Sequence, residues 1–181
     1  TEQQEGFADA GEKIQIRNIS KNPIFVNVFV EGVQPPGRET DEASGFELSV
    51  SYTNTDGAPL DITSLDQGQE FVAKIHVMNR TNEYLRNVAL TYAIPSGWEL
   101  INPRLNSAAA VASAEVDFQD YRDDRVLNYF SIAPHKGVDI SIHATAIYPG
   151  SYYLPGMSVE PMYDATKFAR IKGQKVEVKR K

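Results

Sequence analysis

Three histidines and no cysteine leave few groups for metal or nucleophilic chemistry. His76, His135 and His143 share no metal-ligand spacing, and His76 and His143 fall in strand-like segments beside apolar residues. An imidazole in such a strand is more often structural than a ligand. The lack of cysteine excludes disulfides, thiolate metal sites, thiol nucleophiles and a thioester carried by this chain. We therefore predict no metal and no cofactor.

Closely spaced acids suggest a calcium loop at first sight: Asp117, Asp120, Asp123 and Asp124. The stretch lacks the glycine and the bidentate glutamate of such a loop, and Arg122 and Arg125 supply neutralising charge. We predict instead a salt-bridged turn that leads into a strand at Val126. The sequence also lacks a nucleophile elbow and a Gly-rich phosphate loop, so nothing in it indicates an enzyme.

Two triplets, at Asn18 and Asn79, fit the glycosylation pattern Asn-X-Ser/Thr. Such triplets occur by chance and matter only in a eukaryotic secretory protein.

Residues 148–164 combine aromatic and sulfur side chains with many turn-forming residues. Large amphipathic rings on a backbone fixed by Pro and Gly are typical of a contact surface. The alternative is that the rings close one end of a core, with each hydroxyl bonded to the backbone. Residues 152–154 alternate as a strand does, which favours the structural alternative for them. For Met162 and Tyr163 both interpretations remain open.

The elements that position these residues are predicted to be short β-strands, because apolar and polar residues alternate. The alternating apolar positions are Phe46, Leu48, Val50 and Tyr52; Phe71, Ala73, Ile75 and Val77; Val88, Leu90 and Tyr92; residues 126–132; Ile140, Ile142, Ala144 and Ala146; and Val176 with Val178. Residues 24–30 are apolar on both faces, which indicates a strand buried on both sides. About ten short strands separated by Pro and Gly turns predict an all-β, antiparallel β-sandwich. Residues 107–115 alone favour a helix, so we expect at most one short helix or an ordered loop there.

A composition break at 33–44 predicts a domain boundary, because Pro, Gly and charged residues interrupt the apolar pattern there. Residues 1–40 contain too few strands to form their own core. Within this chain, residues 41–181 are the only partner for them. We therefore expect two parts, 1–40 and 41–181.

Charge is distributed unevenly along the 181 residues, although the net charge is only −6. Residues 1–70 hold thirteen acidic and four basic side chains, whereas residues 167–181 hold one and seven. The basic tail has almost no aromatic residues between its basic side chains, and the rest of the chain is acidic. We therefore predict no nucleic-acid partner. No apolar run approaches the roughly 20 residues of a membrane span, and no signal peptide is recognised. We expect a soluble chain.

Four ordered motifs resemble one known family, the C-terminal (MG10-type) macroglobulin domain of bacterial alpha-2-macroglobulins. The motifs are residues 56–69, residues 94–104, residues 121–126 and residues 154–164. The similarity runs from about Gly45 to Val178. Residues 1–40, with Gly32-Val33-Gln34-Pro35 near their end, resemble the closing strands of the CUB-like domain that precedes it. The resemblance implies a macroglobulin or immunoglobulin-like sandwich and a chain that is a fragment of a larger protein.

The resemblance also implies a function. Members of the family are proteinase traps, in which cleavage of a bait region exposes an internal Cys-Gln thioester that acylates the proteinase. By similarity, the terminal domain docks on the thioester domain and shields the bond until the bait is cut, and it is not catalytic. Met162 and Tyr163 correspond to the pair that covers the bond, and Asp164 caps their loop. Arg122, Asp123, Asp124 and Arg125 carry a family signature whose role is to fix a turn.

The implied partners are the thioester domain and the CUB-like domain of the same parent chain and, indirectly, the target proteinases. The implied location is the periplasm or cell envelope, with a parent that is a lipoprotein. The membrane is then reached only through the parent's lipid anchor.

One alternative function stays open, a ligand- or glycan-binding β-sandwich that serves as an accessory domain of a surface protein. It predicts exposed aromatic rings on a flat or grooved face. Trp98, the single tryptophan, lies in a strand-like context typical of a core.

Overall fold

A computed structural model describes residues 17–26, 37–102 and 116–181. The chain divides into two units, Thr1–Gln34 and Pro35–Lys181. In the first unit, the Asn18 side-chain nitrogen donates to the Asn22 carbonyl at 2.8 Å, and the Asn18 side-chain oxygen accepts from the Ser20 amide and hydroxyl, both at 2.9 Å. Most of the strand predicted over 24–30, and the helix or loop predicted over 107–115, lie outside the described residues.

The described part of the second unit consists of β-strands joined by turns. The strands are β1 (Glu42–Ser44), β2 (Phe46–Thr53), β3 (Ser64–Asp66), β4 (Glu70–Asn79), β5 (Leu85–Ala93), β6 (Trp98–Ile101), β7 (Phe118–Tyr121), β8 (Arg125–Ile132), β9 (Gly137–Ala146), β10 (Gly150–Leu154), β11 (Met157–Pro161), β12 (Phe168–Ile171) and β13 (Gln174–Lys179). No helix occurs among these residues. The prediction of an all-β chain is confirmed.

The strands form three sheets. A six-stranded sheet has the order β1-β12-β11-β5-β8-β7, a four-stranded sheet has the order β2-β4-β9-β6, and a three-stranded sheet has the order β10-β13-β3. Every pair is antiparallel except β13 with β3, which are parallel. The predicted antiparallel sandwich is confirmed, with one parallel pair that alternation within single strands does not predict.

One hydrophobic core lies between the inner faces of the sheets. Alternate side chains of β4 are buried, including Phe71, Ile75 and Val77, and they join residues of β8 such as Phe130 in a single cluster. Burying one such side chain stabilises the fold by about 2 kcal/mol. Trp98 is 2% exposed and packs edge-on against Phe71 at 4.8 Å between ring centroids. Trp98 is therefore a core residue, as predicted.

A buried asparagine fastens the loop that follows β4. Asn79 is fully buried, and its side-chain nitrogen donates to the carbonyls of Glu83 at 2.8 Å and Ala133 at 3.1 Å. Its side-chain oxygen accepts from the Thr81 amide at 2.9 Å and hydroxyl at 2.8 Å. Asn79 belongs to the second Asn-X-Ser/Thr triplet. Its side-chain nitrogen is engaged in structural hydrogen bonds and is shielded from solvent. Asn79 thus holds the approach to β5.

Residues 37–41, ahead of β1, are fastened to the body of the second unit. The Tyr153 hydroxyl donates to the Glu39 carboxylate at 2.5 Å and accepts from the Gly37 amide at 2.9 Å. The hydrogen bond from Tyr153 lowers the pKa of Glu39. Further along, the Lys172 amide donates to the Asp41 carboxylate at 2.7 Å.

Candidate functional site

Met162 and Tyr163 lie on the turn between β11 and β12. Met162 is 55% exposed and Tyr163 is 83% exposed, whereas Pro161 just before them is buried. Pro161 is the last paired residue of β11, opposite Val88 on β5. Proline has no amide hydrogen to continue the ladder, so it suits the last position of a strand. The two side chains therefore leave the sheet where β11 ends.

A β-bulge on the neighbouring strand fastens the start of this turn. The Met162 amide donates to the Asn87 carbonyl at 2.9 Å. The pairing of β5 with β8 shifts register between Leu85 and Val88, and Asn87 has a positive φ of 52°. Asparagine tolerates this conformation better than most residues, and a bulge redirects a strand locally.

Asp164 closes the turn from the other side. One carboxylate oxygen accepts from the Thr166 amide at 3.0 Å and hydroxyl at 2.5 Å, and the other accepts from the Lys167 ammonium at 2.6 Å. Lys167 also pairs with Glu83 at 3.1 Å. The hydrogen bond from Lys167, followed by those from Thr166, lowers the pKa of Asp164 to about 2. Asp164 is therefore ionised at neutral pH and organises a local turn.

Residues 162–167, named the docking loop after the role proposed for them, are thus held at both ends, while the two large side chains Met162 and Tyr163 are exposed to solvent. Met162 is fixed through its backbone and Asp164 through its side chain. The sequence analysis missed Glu83, Asn87 and Lys167 as supports of this loop. A sequence signal existed only for Asn87, an asparagine just ahead of an apolar strand pattern.

The second predicted group, residues 122–125, forms the turn between β7 and β8. The Arg122 amide donates to the Arg125 carbonyl at 2.9 Å, and the Asp124 carbonyl accepts from the Ile94 amide at 2.9 Å. Arg125 binds the Asp124 carboxylate through both Nε and a terminal nitrogen, which lowers the pKa of Asp124. Asp123 is exposed at the tip of the turn.

These contacts join the ends of β5, β7 and β8. Arg122 adds an ion pair with Asp120 at 2.9 Å. The arrangement matches a salt-bridged turn that leads into Val126, and it presents no set of ligands for an ion. Its geometry is that of a structural turn.

The structure does not bring the two predicted groups together. Met162 is anchored near the start of β5 at Asn87, and the turn of residues 122–125 is anchored just beyond its end at Ile94. Seven residues of extended strand separate these anchors, a distance of about 23 Å. The docking loop is therefore the single candidate site, and the other group supports the opposite end of the six-stranded sheet.

Other chemistry is sparse in the described residues. They contain no group of three or more His, Asp or Glu side chains placed to hold a metal ion. His76 instead pairs with Asp139 at 2.7 Å on the outer face of β4. The described ranges also contain no helix with the length and apolar character to cross a membrane. Burial of Trp98 removes the one indole from any exposed glycan-stacking face.

Stacked β-sheets with this exposed loop define a macroglobulin-type β-sandwich domain. Residues 45–165 match the family described as the Bacterial Alpha-2-macroglobulin MG10 domain, and the chain belongs to this family. The resemblance identified from the four sequence motifs is confirmed.

Relatives at low identity agree with this assignment. Alpha-2-macroglobulin of Xylella fastidiosa is 24% identical over 155 residues, which cover 78% of this chain and 9% of the relative. Alpha-2-macroglobulin of Pasteurella multocida is 24% identical over 166 residues, which cover 87% of this chain and 8% of the relative. The chain thus spans about a tenth of the length of the curated relatives it matches.

Two solved structures share the fold. Native Escherichia coli alpha-2-macroglobulin aligns with a TM-score of 0.71 at 20% identity, covering 81% of this chain and 10% of that one. A crystal structure of the same protein, from domain MG7 to the C-terminus, aligns with a TM-score of 0.71 at 20% identity. The alignment covers 80% of this chain and 25% of that one.

Proposed function

We propose that this chain is the non-catalytic terminal domain of a bacterial proteinase trap, and that Met162 and Tyr163 shield the thioester of the parent protein until bait cleavage. The observation that carries the proposal is the exposed Met-Tyr pair on a loop fastened at both ends. Membership of the MG10 family supports the identity of the domain. The resemblance of residues 154–164 to the family motif supports the role of the pair.

Shielding requires large apolar side chains on a rigid loop, because a thioester is cleaved when water or amines reach its carbonyl. Tyr163 supplies a large flat ring and Met162 an adaptable thioether that fills irregular gaps. The anchors at Asn87, Asp164 and Lys167 reduce the entropy lost when the loop docks.

The free energy that Met162 and Tyr163 contribute to docking is small enough for bait cleavage to release the contact. Docking that removes roughly 200 Å² of Met162 and Tyr163 from water contributes roughly 5 kcal/mol at about 25 cal/mol per Å². A change from almost fully closed to almost fully open requires a shift of about 5.5 kcal/mol. Bait cleavage therefore needs to alter the docking free energy by an amount similar to the contribution of this contact.

The proposal extends to the setting of the domain. Its partners are the thioester domain and the CUB-like domain of the parent chain, with residues 1–40 as the closing strands of the CUB-like domain. Target proteinases are indirect partners, no cofactor takes part, and the parent resides in the periplasm or cell envelope, anchored by lipid. That the chain spans about a tenth of its relatives supports a parent with further domains.

The test compares the parent protein carrying Tyr163→Gly with wild type. We expect faster spontaneous loss of the thioester and faster reaction with methylamine, because water and amines gain access to the carbonyl. Tyr148→Gly is the matched control, since Tyr148 is also exposed, at 54%, but lies on the loop between β9 and β10. Equal reaction rates in wild type and Tyr163→Gly would remove the shielding role.

A further inference from the structure

We infer that the docking surface extends beyond Met162 and Tyr163 onto Tyr84 and Arg86, and that this extended surface receives another domain of the parent chain. The facing surface is expected to be apolar, with a carboxylate opposite Arg86. The inference rests on the proposed function, because it takes the docking loop as the centre of the contact.

Two bonded connections place Tyr84 and Arg86 beside the docking loop. The first joins Met162 to Asn87, the residue that follows Arg86, through the amide-to-carbonyl hydrogen bond of 2.9 Å. The second joins Asp164 to Glu83, the residue that precedes Tyr84, through the shared ammonium of Lys167. Residues 83–87 and 162–167 therefore form one continuous surface at the start of β5.

Tyr84 and Arg86 are arranged for an intermolecular or interdomain contact. Tyr84 is 55% exposed, and the Arg86 guanidinium lies 5.6 Å from the centre of its ring. The contact with the ring favours one position of the guanidinium without consuming its hydrogen-bond donors. The pair thus presents a fork of donors next to an exposed ring.

Arg86 has no carboxylate partner within the described residues, although it is stacked beside an exposed ring. Arg80, Arg122, Arg125 and Arg170 each pair with an acid. A guanidinium that is held beside a ring but has no partner acid is well suited to bind a carboxylate from outside in a bidentate manner. This charge complementarity defines the polar part of the expected partner.

The composition of the surface resembles the centre of a protein interface. Tyrosine, methionine and arginine are enriched in interface cores, and tyrosine and arginine are frequent hot spots. Single exposed apolar side chains are common, but here Tyr84 and Arg86 lie on the segment that is hydrogen-bonded to the loop carrying Met162 and Tyr163. Because about nine tenths of the relatives' length lies outside the aligned region, the parent has ample surface to cover this one.

Hydroxyl-radical footprinting of the intact parent, before and after treatment with a proteinase, tests the extended surface. We expect the oxidation rates of both Tyr84 and Tyr163 to rise about fivefold or more after treatment, as a covered ring becomes exposed. Tyr148 serves as an internal reference because its exposed fraction, 54%, almost equals that of Tyr84. Its oxidation rate is expected to stay constant. Footprinting reads protection directly, whether or not the parent carries a thioester.

Substitution of Arg86 tests the polar part. In the parent, Arg86→Gln is expected to raise Tyr163 oxidation before proteinase treatment, with a roughly tenfold weaker docking equilibrium. Arg170→Gln is the matched control, since Arg170 also stacks on a ring, Phe168, at 5.0 Å. Unlike Arg86, Arg170 already has a carboxylate partner, Glu160, at 3.6 Å, and it lies in the sheet opposite Ser158 of β11 and Glu42 of β1. If Arg86→Gln behaves like Arg170→Gln, no carboxylate faces Arg86 and the inference fails.

The outcomes separate the inference from the proposed function. Protection of Tyr163 with equal Tyr84 reactivity before and after treatment would overturn the inference alone. Full reactivity of both rings in the intact parent would overturn both proposals. Protection that depends on protein concentration would identify a second copy as the occupant and overturn the same-chain partner. If Arg86→Gln lowers the melting temperature of the parent, the footprint of Tyr84 in the wild-type parent decides whether the docking surface extends to Tyr84.

Discussion

Replacing Asn79 by alanine tests whether one buried amide supports the region that carries the docking loop. Asn79 is fully buried and links Thr81, Glu83 and Ala133 through its two side-chain polar atoms. Glu83 in turn binds Lys167, which holds Asp164. Loss of the Asn79 amide therefore removes the support of the loop that leads into β5.

The magnitude follows from the number of hydrogen bonds. Asn79→Ala deletes four that are 3.1 Å or shorter, two accepted by the side-chain oxygen and two donated by the nitrogen. At about 1 kcal/mol net for each, the upper value is about 4 kcal/mol. Water reaches some of the released groups near exposed Glu83, which lowers the expected loss of unfolding free energy to about 3 kcal/mol.

Urea unfolding followed by tryptophan fluorescence is the appropriate assay. Trp98 is the single tryptophan, and it is buried in the core of the second unit, so the signal reports on that unit. Asn54→Ala is the control, because that side chain accepts one bond, from the Ala58 amide at 2.8 Å, in an exposed turn. We expect about 1 kcal/mol or less for the control. A loss in Asn79→Ala no larger than the control's would refute the reasoning.

Two further predictions concern acid stability and a close contact. Because the pKa of Asp164 falls to about 2 in the folded state, its stabilising effect is complete above the ordinary pKa of 3.8 and is lost as pH falls toward 2. Asp164→Asn should therefore flatten the fall of the urea midpoint between about pH 5 and about pH 2.5, and parallel curves for variant and wild type would contradict this. Gly97→Ala places a methyl group 2.3 Å from the Tyr152 ring and should lower the unfolding free energy by about 1–3 kcal/mol. Gly57→Ala meets no atom within 4 Å but has a positive φ, so a cost of about 1 kcal/mol is expected, and a larger cost than at Gly97 would contradict the close-contact argument.

Much of the fold could be predicted because burial imposes a period of two on each strand. In β4, Phe71, Ala73, Ile75 and Val77 are all buried as their alternation predicts. The strand-like context of Trp98 also predicts a core position, and this side chain is buried. The parallel pairing of β13 with β3 could not be predicted, because it depends on how segments more than a hundred residues apart align.

The candidate site was predictable only in part. Pro161 ends a strand by its chemistry, which agrees with the exposure of Met162 and Tyr163 directly after it. Their supports depend instead on the register of β5 against β11. Lys167 meets Glu83 only after that register places residues 84 positions apart side by side. No local pattern in the sequence carries that information.

The fastening of residues 37–41 has a mechanical consequence. Tension applied to the chain ahead of Gly37 is borne first by the Tyr153 hydroxyl and then by the bond between Asp41 and the Lys172 amide. Lys172 directly follows β12, and the opposite end of β12 begins at the docking loop. The fastening of residues 37–41 and the docking loop therefore lie at the two ends of one short strand, β12.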